Sequence, residues 1–496
     1  MKEKIIMKKH HLPILAWLAS LALVTGGCTV GPDYQRPAVS APAQWSTPLA
    51  GGETNSAVEL TAWWENFHDA EMDSLIHRAV QSNLDLQIAQ ARVREARAQY
   101  RIAAASFLPT VDASGSYART ETSHHQPVLG SIPIPATVPF DNDVYQAGFD
   151  AAWEIDVFGG TRRAAEAAQA GVAAAGFGRR DTWVTLLGEV ARNYVDVRGY
   201  QRRLAIATEN IAAQSNALAI TQARFARGLT SNLDVQQART LLATTTAEMP
   251  TLQTSLQAAI HRLGVLLGQP PGALVAELSA PAPIPAALPQ VPVGLPSGLL
   301  LRLPDVQRAE RQLAAATANI GVAKAGLFPK FFLTGAVGQE SISPSDWFTS
   351  GAKFWSAGPT VQWRIFDAGR IRANIRVQNA RQAQALATYE QTVLTAFAEV
   401  ENDLVAYANE QIRRRSLAEA VASSQKSLDL ANQLYANGLV DFLHVLDAER
   451  SLYQAQDALV QSDRTVSVYL ISLYKSLGGG WETLAAQSAV ALVKNQ

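Results

Sequence analysis

Residue types that perform catalysis are sparse in this chain and poorly spaced for it. The sequence of 496 residues holds eight histidines, four methionines and one cysteine. His10-His11 lie near the N-terminus and His124-His125 in a loop-like stretch, and none has a metalloprotease or zinc-finger spacing. Gly478-Gly479-Gly480 lacks the Lys-Ser/Thr of a phosphate loop, and no nucleophile elbow occurs. We expect no enzyme, no metal site and no bound cofactor. The one thiol is Cys28. It follows a targeting segment made of Lys2, Lys4, Lys8 and Lys9, an apolar run from Leu12 to Val24 and small residues Thr25-Gly26-Gly27. A lone cysteine in an exported chain makes no internal disulfide, so its position must explain it.

The elements that position these residues come in two copies. Trp153, Ile155 and Gly159 are matched by Trp363, Ile365 and Gly369 at an offset of 210, within the stretches WEIDVFG and WRIFDAG. Gly228-Leu229, Leu233 and Val235 return as Gly438-Leu439, Leu443 and Val445. Upstream, Ala103, Ala105 and Pro109 return as Ala323, Ala325 and Pro329, now 220 apart, so ten extra residues fall between Pro109 and Trp153. One structural unit is therefore built twice.

In each copy a helical pattern, Asp69 to Phe107 and Asp305 to Phe328, stops at Pro109 or Pro329. Alternating segments follow: Val111 to Tyr117, Tyr145 to Ile155, Phe331 to Val337 and Trp355 to Ile365. Each has one apolar and one polar face. Their length of about 10 residues suits tilted membrane strands. The polar faces carry Asp150, Glu154, Asp156 and Arg364, as a wet lumen tolerates, while Trp153, Trp355 and Trp363 fit interfacial girdles.

Long helices come next. Trp183, Leu187, Val190, Tyr194 and Val197 form a seam of about 3.5 residues per repeat, and Val393, Phe397, Val400, Leu404 and Tyr407 form its copy. Nearly seventy residues at about 1.5 Å each give about 100 Å of helix. Gly228 and Gly438 are suited to end these helices in a left-handed turn. Return helices run Asn232 to Gly268 and Asp441 to Gly478, with Pro250 expected to kink the first. Pro281 to Pro296 form a proline-dense connection that excludes helix and central strand. The net charge is -1, and no basic cluster recruits nucleic acid.

Four strands cannot close a barrel, and an open edge in lipid leaves backbone groups unsatisfied. Two copies would give eight strands with a filled interior; three would give twelve and a channel.

The start of the chain resembles a bacterial lipoprotein signal, with Cys28 as the lipidated first residue, although Thr25 departs from the usual aliphatic position. Thr29 in place of Asp implies the outer membrane. Cys28-Thr29-Val30-Gly31-Pro32-Asp33-Tyr34-Gln35-Arg36-Pro37, Trp63-Trp64 and the two Gly-Leu turns resemble the TolC-like outer-membrane efflux lipoproteins of the NodT/OprM type. That resemblance implies a mixed α and transmembrane β fold: two tandem repeats, four strands per chain, and a homotrimer. Its twelve-stranded barrel continues into a long periplasmic α-helical barrel. It implies the outer-membrane exit duct of a tripartite pump. The partners are a periplasmic adaptor and an inner-membrane resistance-nodulation-division (RND) transporter, and the cargo is drugs, dyes or detergents. The organisation follows: 1–27 signal, 28–60 lipid-anchored tether, 61–278 first repeat, 279–298 linker, 299–480 second repeat, 481–496 tail. A type I protein-secretion channel and a pore-less coiled-coil envelope lipoprotein are the alternatives.

Within the family, acidic residues after the second helical turn narrow the closed entrance. Those positions fall on His444 and Asp447 here, so only one acid is kept. Asp234 and Tyr435 occupy positions of a closed-state cross-helix link, while the basic partner expected at Val440 is missing. Gly228-Leu229-Thr230 and Gly438-Leu439-Val440 are the candidates for adaptor contact, since Leu at a helix tip offers apolar anchors.

Overall fold

The computed structural model describes residues 29–38, 41–47, 53–54, 60–121, 141–286, 291–292 and 296–482. Cys28, His124-His125 and the segment from 483 onward lie outside the described residues. In chain order the elements are β1 (Glu53–Thr54), α1 (Ala70–Ser82), α2 (Leu84–Ala105), β2 (Thr110–Glu121), β3 (Asp141–Ile155), α3 (Gly160–Ala226) and α4 (Asn232–Leu266). They continue as β4 (Val291–Pro292), α5 (Pro296–Arg302), α6 (Pro304–Ala325), β5 (Lys330–Ser341), β6 (Lys353–Gln362), α7 (Arg370–Ala436) and α8 (Phe442–Ser476).

The duplication holds element by element. α2 and α6 have 22 residues each, β2 and β5 have 12, α3 and α7 have 67, and α4 and α8 have 35. The chain nevertheless divides into two compact units that each draw on both repeats. One takes Met1–Pro37, Arg94–Ala173 and Glu310–Ala387; the other takes Ala38–Val93, Ala174–Ala309 and Thr388–Gln496.

The first unit holds a four-stranded antiparallel sheet in the order β2-β3-β5-β6. The register places Ala113, Phe149, Val337 and Trp355 side by side on one face. Pro359 sits in β6, an edge strand of the single chain, where a residue without an N–H is tolerated. The alternating pattern overran this strand: β6 ends at Gln362, and the Trp363 indole donates to the carbonyl of Leu327 at 3.1 Å. Its repeat mate Trp153 donates to Phe107 at 2.9 Å. Both indoles fasten a strand end to the end of the preceding helix.

The N-terminal stretch is not a free tether where it is described. Val30 N–H donates to Phe158 O at 3.1 Å, and Asp33 pairs with the buried Arg163 at 2.6 Å. Tyr34 donates to Glu310. Gly31 has φ 104, and a Cβ there would lie 2.5 Å from Gly321 Cα, so both the angle and the contact require glycine.

In the second unit the predicted seam is the core. Trp183, Leu187, Val190, Tyr194 and Val197 are buried, as are Val393, Val400, Leu404 and Tyr407 in the second copy, while Phe397 is only partly buried. Trp63, Trp64 and Phe67 form a short 3-10 turn whose rings pack inside, Trp63 stacking on Tyr474 at 5.2 Å. The expected single helix from Asp69 is broken at Asn83, which is extended. Its side chain donates to Leu266 O at 2.8 Å and accepts from Leu86 N–H at 2.9 Å, capping α2. Pro250 lies inside α4, which runs on both sides of it as one element. The proline-dense connection also departs from expectation: Pro296 opens α5, since a first-turn proline forfeits no hydrogen bond.

Candidate functional site

Two helical turns carry the predicted site residues, and both lie in the second unit. After α3, Gly228 has φ 73; its N–H donates to Phe225 O, and Leu229 N–H donates to Arg224 O. After α7, Gly438 has φ 70, with the same pair of bonds from Gly438 to Tyr435 and from Leu439 to Leu434. A Cβ at either glycine would meet nothing within 4 Å, so the left-handed angle alone demands glycine. The adaptor-contact candidates Leu229 and Leu439 are 64% and 70% exposed.

The turns diverge at the next residue. Ser231 caps α4: its Oγ accepts from Asp234 N–H at 3.3 Å, and Asp234 accepts from Ser231 N–H at 3.0 Å. Thr230 donates to the same carboxylate. Burial raises the Asp234 pKa, but these donors outweigh it and hold the carboxyl below its ordinary value. At the corresponding places after the second turn stand Val440, Asp441 and His444. Asp441 makes no side-chain cap bond.

Asp234 and Tyr435 are not joined in this structure. Asp234 is occupied by its own cap. The Tyr435 ring lies 5.2 Å from Phe442 and under the Arg224 guanidinium at 4.4 Å. Its hydroxyl has no hydrogen-bond partner among the described residues. His444 and Asp447 are exposed, whereas Phe442, Val445 and Leu446 on the same helix are buried. Asp447 pairs with Arg450 at 3.0 Å, a contact more than half exposed on both sides. The acid is therefore partly neutralised within its own chain.

Two acidic features escaped the sequence reading. Glu449 is 8% exposed, and one of its carboxylate oxygens has no partner among the described residues. The signal was available: Phe442, Val445, Glu449 and Leu452 share helical spacing, so an acid sits on the apolar stripe. A cavity of about 330 Å³ gathers Asp181, Asp305, Glu399, Asp403 and Lys475 from four helices. Burial pushes the carboxyls of Asp305, Glu399 and Asp403 up. No sequence spacing announces it, because the residues meet only in the fold.

The sheet of the first unit is the other candidate functional surface. Its apolar face is exposed on the single chain: Phe149 58%, Val337 57%, Trp355 79% and Val361 59%. The opposite face is polar, with Ser114 donating to Asp150 at 3.2 Å and Lys330 to Glu154 at 3.0 Å. Beyond β2 and β6 no further strand is paired among the described residues.

Known proteins share this arrangement over nearly the whole chain. The "Outer membrane efflux protein" family matches residues 75–269 and 295–479. The solvent efflux pump outer membrane protein SrpC of Pseudomonas putida is 34% identical over 480 residues, covering 96% of this chain and 99% of that one. Nodulation protein T of Rhizobium leguminosarum bv. trifolii is 32% identical, over 94% of this chain and 97% of its own. The solved structure of the outer-membrane channel OprN superposes with a TM-score of 0.85 at 36% identity, covering 92% of this chain and all of that one. The fold is thus that of the TolC-like channels, and the chain belongs to the outer membrane efflux protein family.

Proposed function

We propose that three copies of this chain form the outer-membrane exit duct of a tripartite RND-type efflux pump, conducting small toxic compounds passively to the exterior. The observation that carries this is the four-stranded sheet, with one large exposed apolar face, one polar face and, among the described residues, no strand beyond either edge. An apolar face of this extent calls for lipid, and unsatisfied edges in lipid call for closure. A head-to-tail ring of β6 on the next copy's β2 satisfies every edge, and twelve strands leave an aqueous lumen.

The lipid at Cys28 is part of this reading. Val30 is bonded at Phe158, just past the end of β3, and Thr29 packs against Gly159. Docking of Thr29 and Val30 beside the strand ends supports an anchor there, where acyl chains can enter the leaflet. The exposed leucines at the two Gly-Leu turns suit a periplasmic adaptor, and Asp447 and His444 face outward where a threefold axis could gather them. Solvent export by the P. putida relative favours apolar organic cargo.

The decisive experiment is reconstitution. Purified protein is expected to run as a detergent-stable trimer and to conduct in planar bilayers. Deleting the gene is expected to sensitise cells to organic solvents and dyes, and Cys28→Ala to lose labelling by palmitate. A monomer soluble without detergent and silent in bilayers overturns the reading.

A further inference from the structure

Two apolar clusters in the second unit join α3, α4 and α8, and α7 also packs against the second through Leu428, Ala431 and Tyr435. One contains Ile206, Ala207, Leu252, Tyr453 and Val460. The other contains Ala238, Phe442, Val445 and Leu446, with Leu218 packed on it. Between them, each helix carries one buried polar residue: Gln214 on α3 (2% exposed), Thr245 on α4 (3%) and Glu449 on α8 (8%). Thr245 satisfies itself by donating to Leu241 O at 3.2 Å. Gln214 leaves both its amide oxygen and nitrogen without a partner among the described residues, and Glu449 leaves one oxygen. Buried polar atoms without partners, on helix stretches that lie between two apolar clusters, are costly unless they serve a second state.

We infer that Gln214, Thr245 and Glu449 form a proton-responsive lock between α8 and the α3–α4 pair, packed when Glu449 is neutral and loosened when it is ionised. The gating consequence rests on the duct reading above.

Among the described residues no nearby charge offsets the ionised form. On α8, Arg450 is committed to Asp447 and Tyr453 donates to Glu248 of α4 at 2.5 Å. On α3, Arg203 is committed to Asp457, and Glu209 is exposed. Arg239 of α4 and Lys426 and Asp429 of α7 are exposed as well. Burial alone accounts for the shift of Glu449, which is pushed up from 4.5 to about 7. Charging it therefore becomes favourable in the packed state only near neutral pH. The packing is tightest below the ordinary carboxylate range and weakens as pH rises through about 7.

Hydrogen exchange of the purified full chain in detergent tests the lock directly. Between pH values of about 5.5 and about 8.5, after correction for intrinsic exchange, residues 442–460 of the wild type are expected to lose protection about tenfold. Glu449→Gln should remove that dependence. Gln214→Leu, which deletes the polar neighbour layer, should move the midpoint to higher pH. A flat wild type, or a Glu449→Gln protein with the wild-type pH profile, overturns the lock. In planar bilayers the wild-type conductance should rise severalfold over the same range, and that of Glu449→Gln should not. Responsive exchange with a flat conductance overturns the gating role. Silence of both proteins at every pH overturns the duct reading instead, while the exchange result still decides the lock.

Discussion

The two helical turns are copies of one design, yet only the first is fastened. Both end in a left-handed glycine followed by leucine, with the same pair of backbone bonds. After the first, Thr230, Ser231 and Asp234 close a reciprocal cap over α4. After the second, Val440, Asp441 and His444 close nothing over α8. A duplicated backbone thus keeps its path while its caps diverge, because the turn needs only the glycine angle and the cap is a separable addition. The helix left uncapped is α8, which carries His444, Asp447 and the buried Glu449. If one helix start rearranges when the duct opens, this asymmetry designates α8.

The sharpest way to break the comparison is to equalise the turns. Ser231→Ala with Asp234→Ala should cost about 2 kcal/mol of local stability, read as lost exchange protection over 232–236. Asp441→Ala should cost under about 0.5 kcal/mol, since only a helix-dipole contribution is lost. The converse triple variant, Val440→Thr, Asp441→Ser and His444→Asp, should gain about 1 kcal/mol at the start of α8 and lower the open fraction in bilayers. Equal losses from the first two variants would show that the cap does not distinguish the turns.

A second test concerns the residue that precedes each turn. Tyr435 is half-buried between Phe442 and Arg224, while its repeat mate Phe225 is 45% exposed. Tyr435→Ala should cost about 1–2 kcal/mol through the ring and cation contacts. Phe225→Ala should cost under about 1 kcal/mol. Tyr435→Phe should change stability by less than about 0.5 kcal/mol, because the hydroxyl it removes has no partner here. A measurable loss of closure in Tyr435→Phe would reveal a hydroxyl bond made in another state.

The acids near the turns should also separate by pH. Asp234 is held below its ordinary value, so the stability it contributes is present above the ordinary carboxylate range and is lost as pH falls through its lowered folded value. Glu449 works in the opposite sense and weakens packing as pH rises through about 7. Exchange at 232–236 should therefore accelerate in acid, and exchange at 442–460 toward alkaline pH.

Much of this was legible in the sequence because repetition and periodicity report backbone and faces. The offset of 210 located both glycine turns, and the seam from Trp183 to Val197 proved buried. What stayed hidden depended on partners rather than pattern. The break at Asn83 exists because its side chain reaches Leu266, far away in the chain. The N-terminal strap docks through Arg163, and nothing around Asp33 or Tyr34 names that partner. β6 stopped short of its alternating pattern because its partner β5 begins at Lys330, opposite Gln362, and offers Trp363 no residue to pair with. The sequence placed Asp447 and His444 on α8 but not Arg450 against Asp447, and periodicity alone cannot say which charges have company.

That pairing gives Asp447 the smallest expected stability effect and, on the gate proposal, the most specific expected functional one. The Asp447–Arg450 contact is exposed, so Asp447→Asn should change stability by less than about 0.5 kcal/mol. Its effect on ions should be larger in proportion. If three copies bring this position to a common axis, their field is reduced wherever Arg450 stays paired. Arg450→Ala should then raise cation preference and divalent-ion block, Asp447→Asn should lower both, and the double variant should resemble Asp447→Asn. His444→Asp alone, by restoring a second acid one turn earlier, should deepen the block further. Identical reversal potentials for wild type, Asp447→Asn and Arg450→Ala would place these side chains away from the ion path, leaving the asymmetry of the turns a matter of helix stability alone.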